Sequence, residues 1–503
     1  MPIFLFFIPG ILLIFSRSFN KKTLTEFLVY VVGLSLSFFV VMPWFAKYLN
    51  VPLMLSAYLV FIFSAIIMGI NIKRIDLKHL NADRQEMVLM GIFLLVLLLR
   101  CLPMFFQIAP AGADMSMHSY IARLIYDNDG IPSSYRPILP ISNFGAYPAG
   151  FPTLSALISL LYDCPVYRSG LLMSCLTHAL ICFGLFVLLL RFFDRNTAAA
   201  TSIAATFLTR SPQWIIRWGG NPTVLALFFF LLAFSLIIEL KEKFSWLKMI
   251  SASLALAAVL ITHSIVFYLG GIILAVYFLV SIKDYKNIYA TAVCLFICML
   301  VFLLPYLVNL KFTITKSAIE STRAWQLIDA RSVMYDLIAG IPFLIISAFS
   351  LPVLFKKNSN SAARMIAAKK KHFLIIFLTI GLIYYCVFYL YNSISMCSVT
   401  QADLNTFKWM DDTLNNKAVI RNNFGDAGLW IPAIIGRAIT NPYSEPVNLE
   451  ELKAGLAKLR AGYIYIGSKV VNGVDYKKED LEKKPWKYRI VYNTDGAQVW
   501  KIL

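Results

Sequence analysis

The chain has 503 residues, 59% of them hydrophobic and 15% charged, against roughly 45–50% apolar and about 25% charged in an average soluble domain. That excess excludes a single water-soluble globule. The formal net charge of +19 does not point to nucleic acid either, because the lysines and arginines lie mostly in short loops between apolar runs, where the positive-inside rule accounts for them.

Taken in chain order, the stretch from Pro2 to Phe15 is apolar, with no positive segment before it and no small-residue cleavage site after it, so it reads as a retained first helix. Hydropathy, with charged loops as punctuation, predicts spans near 2–17, 24–47, 51–72, 87–108, 165–191, 196–213, 221–239, 247–263, 265–281, 288–309, 334–354 and 372–394, each close to the roughly 20 residues that cross about 30 Å of hydrocarbon. Alternating sides gathers Arg17, Lys21, Lys22, Lys73, Arg74, Arg191, Arg195, Lys241, Lys248, Lys283 and the Lys356–Lys371 cluster on one face, which is thereby assigned to the cytoplasm. Both termini then lie outside a cell membrane, together with the segments 109–164, 214–222 and 311–332.

From Ser398 onward the apolar runs shorten and turn residues appear. Helices are predicted at 401–415, 425–436 (after a turn) and 449–459, strands at 418–421 and 463–466, and a closing hairpin over 488–492 and 498–502. The expected architecture is an α-helical polytopic membrane protein of about a dozen spans with a small C-terminal α/β soluble domain. Its parts are N-terminal helices (1–86), a transmembrane core (87–397) carrying the exterior loop 109–164, and the exterior domain (398–503). The cysteines show no metal spacing and read as small buried hydrophobes, with Cys164 and Cys397 close enough to one face for a disulfide to be considered. No internal repeat is visible, which gives an inverted-repeat transporter no direct support.

The residues with most chemistry follow the fourth span, in Gly112-Ala113-Asp114-Met115-Ser116-Met117-His118. Asp114 and His118 stand at i and i+4, so a helix puts both on one side. A carboxylate at a membrane surface can take a proton from a nucleophile, and an imidazole beside it can bind phosphate or position an acceptor. The same residues also fit a helix N-cap followed by a solvated histidine. Arg217-Trp218-Gly219-Gly220-Asn221-Pro222 offers a guanidinium whose fork matches phosphate oxygens and glycines that let backbone N–H groups approach at a helix start; a snorkelling arginine beside an interfacial tryptophan is the competing reading. His263 falls at a tight exterior turn, and Arg437 offers a weaker phosphate or acceptor contact. Asp127 and Asp129 read as capping and turn residues.

In these features the chain resembles the GT-C superfamily of multipass glycosyltransferases that use polyprenyl-phosphate-linked sugars. The resemblance covers residues 87–503 and rests on the order of its motifs: Asp114 after a span, an amphipathic helix, Gly130-Ile131-Pro132, Tyr147-Pro148-Ala149-Gly150-Phe151, Arg217 to Pro222, Thr262-His263-Ser264, and Asp426 to Pro432 with Gly436-Arg437. It implies an inverting transfer from a lipid-phosphate sugar donor in the membrane to an exterior acceptor (glycan, lipid or protein), with Asp114 as base and His118, Tyr147, Arg217, Trp218, Asn221, His263 and Arg437 binding substrate. Many relatives carry paired acidic residues or a D-x-D pattern that helps hold a divalent metal. This sequence has neither, and one carboxylate offers a hard cation too few oxygens, so no metal ligand is assigned. The competing functions are a transporter or flippase of lipid-linked glycan, disfavoured because polar residues collect at the outer surface and not at mid-span, and a non-catalytic scaffold for envelope assembly.

Overall fold

A computed structural model describes residues 3–16, 19, 22–74, 83–142, 144, 147–207, 214–281, 288–309, 389–443, 449–473 and 475–503. The expected span at 334–354, most of that at 372–394, the 311–332 loop with Trp325 and the Lys356–Lys371 cluster lie outside the described residues.

The chain opens with a short helix, α1 (Ile3–Phe7), and a 3-10 turn (Gly10–Phe15). Pro9 falls between them, so the expected first span is two short pieces and not one crossing helix. Gly10 abuts the next helix, α2 (Leu24–Tyr48): its N–H donates to Ser35 Oγ at 2.9 Å, and an added Cβ would lie 2.1 Å from the Val31 carbonyl oxygen. Thr23 caps α2 by accepting the Glu26 N–H, a bond the isolated helix end cannot supply.

There follow α3 (Leu53–Asn71), α4 (Arg84–Cys101), α5 (Asp114–Asp127), α6 (Gly150–Tyr162), α7 (Val166–Leu189), α8 (Arg195–Phe207), a 3-10 turn (Trp214–Arg217), α9 (Asn221–Glu242), α10 (Trp246–Thr262), α11 (Ser264–Val280) and α12 (Ile288–Asn309). Among the described residues six helices are long and apolar enough to cross a membrane, namely α2, α3, α4 with its 3-10 extension, α7, α9 and α12; α10 and α11 are shorter and equally apolar. Hydropathy alone located all eight to within a few residues. What it did not rank is depth in the bundle. The crossing windows of α2 and α9 are 78% buried, whereas that of α3 is 22% buried. Apolar all round, these helices differ only in whether neighbours or lipid cover them.

At the end of the bundle formed by the start of α2 and the ends of α7 and α9, five charges meet. Lys22 Nζ lies 2.7 Å from Glu26 and 2.6 Å from Glu239, Arg191 pairs with both carboxylates, and Lys248 Nζ lies 2.7 Å from Glu239. Tyr30 adds its hydroxyl to Glu239 and Ser235. Three of the bases counted above as loop charges are thus largely buried members of a helix-locking ion cluster, because Glu26 and Glu239 supply partners that the positive-inside count ignores.

The C-terminal domain follows α13 (Tyr391–Met396) and α14 (Gln401–Thr413). Thr400 and Asp403 form a reciprocal capping box at the start of α14. Strands β1 (Ile420–Arg421), β2 (Tyr463–Ile466), β3 (Tyr488–Thr494) and β4 (Ala497–Ile502) make one mixed sheet in the order β1-β2-β4-β3, with β1 parallel to β2 and the other pairs antiparallel. Asp495 and Gly496 have φ of 43° and 91°, as a two-residue hairpin turn requires. Helices α15 (Ile431–Ile435), α16 (Leu449–Leu456) and α17 (Lys478–Glu482) complete the domain, and α15 packs on α5. Cys164 and Cys397 are both free thiols; Cys397 Sγ lies 3.3 Å from the Ala109 carbonyl oxygen.

Candidate active site

Asp114 begins α5, and a backbone lock fixes it there. Its N–H donates to the Trp218 carbonyl at 3.1 Å, so the segment bearing Asp114 is stitched to the one bearing Arg217. Gly112 and Gly219 make the approach possible. Both have positive φ, 92° and 95°, and a Cβ on Gly112 would lie 2.2 Å from the Gly219 nitrogen. No other residue type fits two backbones this close in that conformation. The sequence singled out Gly219 for a role in anion approach; the structure shows it as half of a clasp whose other half, Gly112, lies over a hundred positions away.

Below this lock lies a pair of imidazoles. The Tyr147 hydroxyl is 2.6 Å from His118 Nδ1, and the His118 ring also packs beside Phe151. Burial pushes His118 down to about 3, helped by neighbouring His263, and burial pushes His263 down to about 4. Both rings are therefore neutral near pH 7. Burial, then Tyr135 and then the Asp114 charge raise Tyr147 well above the ordinary phenol range, so it keeps its proton and donates it to His118 Nδ1. His263 Nδ1 accepts the Val266 N–H at 3.4 Å, capping α11. With each Nδ1 acting as acceptor, each Nε2 carries the hydrogen. Two neutral N–H donors suit hydroxyl or carbonyl oxygens, and they lack the positive charge that a phosphate site needs. Thr262, beside His263, is 1% exposed, and its hydroxyl has no partner among the described residues.

Above the lock a small open cavity lies between the helices and the soluble domain. Gly112, Ala113, Arg217, Met396 and Ser398 line the membrane side; Phe424, Asp426, Leu429, Trp430, Val471 and Asn472 line the other. The wall is held from behind by polar groups with little access to water. Asp426 accepts from Gly428 N at 2.7 Å, Gly467 N at 2.8 Å and Asn423 Nδ2 at 3.0 Å. Burial nonetheless pushes its carboxyl up to about 6, with those three donors pulling the other way. Asp403 receives the Tyr465 hydroxyl at 2.5 Å and Ser468 N at 2.9 Å.

The expected site residues thus divide. Asp114, His118, Tyr147 and His263 gather around one helix start. Arg217 joins through the clasp, and Trp218, exposed, folds its ring over Gly220. Asn221 faces inward: Oδ1 meets His178 Nε2 at 3.0 Å, and Nδ2 donates to Ser174 Oγ at 3.0 Å and contacts Met115 Sδ at 3.2 Å. Its amide braces the helix junction, which corrects the expectation that it binds substrate. Arg437 is likewise corrected. It is 2% exposed, and its guanidinium donates to the Asn415 carbonyl, to the Asp411 carbonyl at 3.1 Å and to the Leu414 carbonyl at 2.9 Å, closing the end of α14. Asp129 accepts the Met54 N–H at 2.8 Å at the start of α3, a capping role of the kind expected of it, whereas Asp127 forms an ion pair with Arg123 one turn earlier.

Sequence reasoning passed over Arg100, fully buried near the outer end of α4, with its guanidinium 4.2 Å from the Phe207 ring centre and 4.4 Å from that of Tyr389. The signal was present, since it is an arginine inside an apolar run. It also passed over Trp430 and Asn472 as cavity walls, for which no local pattern exists. Among the described residues no three His, Cys, Asp or Glu side chains gather as a metal site.

Fold and site together define a multi-pass membrane protein whose polar centre lies between its helix bundle and a small mixed α/β domain. No protein-family model and no curated protein sequence matches the chain. Among solved structures it is similar to the oligosaccharyltransferase of Archaeoglobus fulgidus in three states. With zinc and sulfate bound the identity is 13% and the TM-score 0.44, covering 74% of this chain and 67% of that one. The apo form gives 11% and 0.45, over 74% and 69%, and the form tethered to an acceptor peptide gives 12% and 0.42, over 74% and 69%. At such identity no residue here takes a role from those structures.

Proposed function

We propose that this protein is a membrane glycosyltransferase that moves a sugar from a polyprenyl-phosphate-type lipid donor to an acceptor on the exterior face of a cell membrane. The observation that carries the reading is the clasp. It holds Asp114 and Arg217 on adjoining backbone segments, and Arg217, with Gly112 and Ala113 just before Asp114, lines a cavity bounded by both parts of the molecule. Transfer needs that combination, a base for the nucleophile and a positive group for the leaving phosphate.

In this mechanism the acceptor hydroxyl or amide gives its proton to Asp114 and attacks the anomeric carbon. The bond from that carbon to the lipid-phosphate oxygen breaks, and the electron pair leaves with the phosphate, against Arg217. One displacement inverts the anomeric centre. His118 and His263, as neutral Nε2–H donors, orient sugar or acceptor oxygens, and Tyr147 fixes the His118 tautomer. Trp218 stands at the rim of the same segment.

The test uses the full chain in liposomes with labelled polyprenyl-phosphate sugars and tagged peptide and disaccharide acceptors. Label should pass to an acceptor, and Asp114→Asn should stop it. Equal turnover in that variant removes the base assignment. Passage of intact donor across the bilayer points to a flippase, and inertness toward every donor to a scaffold.

A further inference from the structure

The cavity's outer wall belongs to a domain that touches the helix bundle through few polar contacts, and two of these are alike. Arg123, on α5 below Asp114, donates from Nη1 to the Ile434 carbonyl at 2.6 Å and the Ala433 carbonyl at 3.4 Å, with Asp127 3.2 Å from Nε. Gly436, at φ 66°, lets the chain end α15 against that guanidinium; an added Cβ would lie 3.2 Å from Nη2. Lys469, in the soluble domain, donates to the Ile394 carbonyl at 2.9 Å and the Cys397 carbonyl at 2.7 Å, at the end of α13. Each cation thus grips main-chain oxygens across the boundary between the two parts. Each also adjoins a wall segment: α15 continues directly from Leu429 and Trp430, and Lys469 sits two positions before Val471.

From this placement we infer that Arg123 and Lys469 are positioning residues that fix the cavity wall opposite Arg217 and the Gly112-Ala113 turn before Asp114, and so set the fit of the acceptor. The inference deepens the transferase reading and rests on it for its kinetics. The lipid donor meets Arg217 on the membrane side of the cavity, so the grips leave its binding alone. A charged side chain bonded to two carbonyls of another segment restricts that segment more than packing does, and methionine keeps the stem while removing every donor.

The experiment compares the full chain with Arg123→Met and Lys469→Met in liposomes. Amide hydrogen exchange over 424–430 and 467–472 should quicken at least tenfold in the variant on the adjoining grip, with the spanning helices unchanged. The KM for whichever tagged acceptor the wild type uses should rise several-fold, while donor KM and kcat stay within twofold. Arg123→Lys should recover part of the acceptor effect, since an ammonium keeps the charge but not the planar fork of the guanidinium. Unchanged exchange overturns the inference, and so does a donor KM that moves as far as the acceptor KM. A wild type without turnover defeats the transferase reading alone, because the exchange measurement still decides the grips. Should the methionine variants not fold, Arg123→Lys and Lys469→Arg, which retain charge, carry the same comparison.

Discussion

Two polar clusters interrupt this apolar bundle, and they are built differently. In the cluster of Lys22, Glu26, Arg191, Glu239 and Lys248 each of the five charges faces an opposite charge, two of them at 2.6 and 2.7 Å from Lys22. Around Asp114, by contrast, the imidazoles are uncharged, each with one ring nitrogen used within the protein, the Thr262 hydroxyl has no partner among the described residues, and a cavity adjoins the segment. The difference teaches how to read buried polarity. A set that satisfies itself holds helices together, whereas a set held rigid but incomplete is completed by something that binds.

The comparison breaks most sharply under Asp114→Asn. Turnover should fall about 10²–10⁴-fold, the range of general-base catalysis, with thermal stability in detergent unchanged; a stability loss as large as the activity loss would put Asp114 in the structural class. Glu239→Ala should do the reverse. Removing this carboxylate strands Lys248 and leaves Lys22 and Arg191 to share Glu26, which costs about 3–5 kcal/mol, as for other broken buried pairs, read as a lowered melting temperature, while the enzyme that remains folded keeps its kcat. Gly112→Ala tests the clasp. Strain at positive φ costs about 1–3 kcal/mol, and the contact with the Gly219 nitrogen adds to it, so Gly112→Ala should be more damaging than Gly219→Ala, whose nearest clash is 2.9 Å. Arg437→Met should lower stability of the soluble domain by about 1–2 kcal/mol and leave the KM for both substrates as it was.

The most gradual effect is that of pH. His118 and His263 stay neutral in the folded chain down to about 3 and 4, whereas in the unfolded chain they take up protons below about 6.5. Between those limits the unfolded state binds more protons, so their contribution is complete above about 6.5 and drains away as pH falls. The double variant His118→Phe, His263→Phe should flatten the fall in melting temperature between pH 7 and pH 4.5; an unchanged slope would place the sensitivity elsewhere.

How much of this was legible in the sequence depends on the range of the interaction. The apolar helices α2, α3, α4, α7, α9, α10, α11 and α12 were readable because the hydropathy that marks them is decided within each segment. The same holds for the strand Tyr463–Ile466, found at its observed limits, and for the hairpin at Asp495-Gly496, whose turn chemistry is local. The site was half legible. Asp114 and His118 share a helix and declare their spacing, and Arg217 stands out beside two glycines. Asn221 and Arg437 misled because a polar side chain in a motif looks the same whether it faces a ligand or the protein.

By itself, then, the sequence determined that the chain carries helices fit to cross a membrane, where eight of the apolar ones lie, that a small α/β domain follows them, and which carboxylate leads the helix after the fourth. Only the tertiary structure decided that Gly112 meets Gly219, that Lys22 and Arg191 are locked to Glu26 and Glu239, that Arg437 closes α14, and that Trp430 walls a cavity with Arg217. The reason is physical. Hydropathy and turn preference act between neighbours in the chain, while hydrogen bonds, ion pairs and close backbone approach join residues separated by tens to hundreds of positions, and no local pattern encodes the partner.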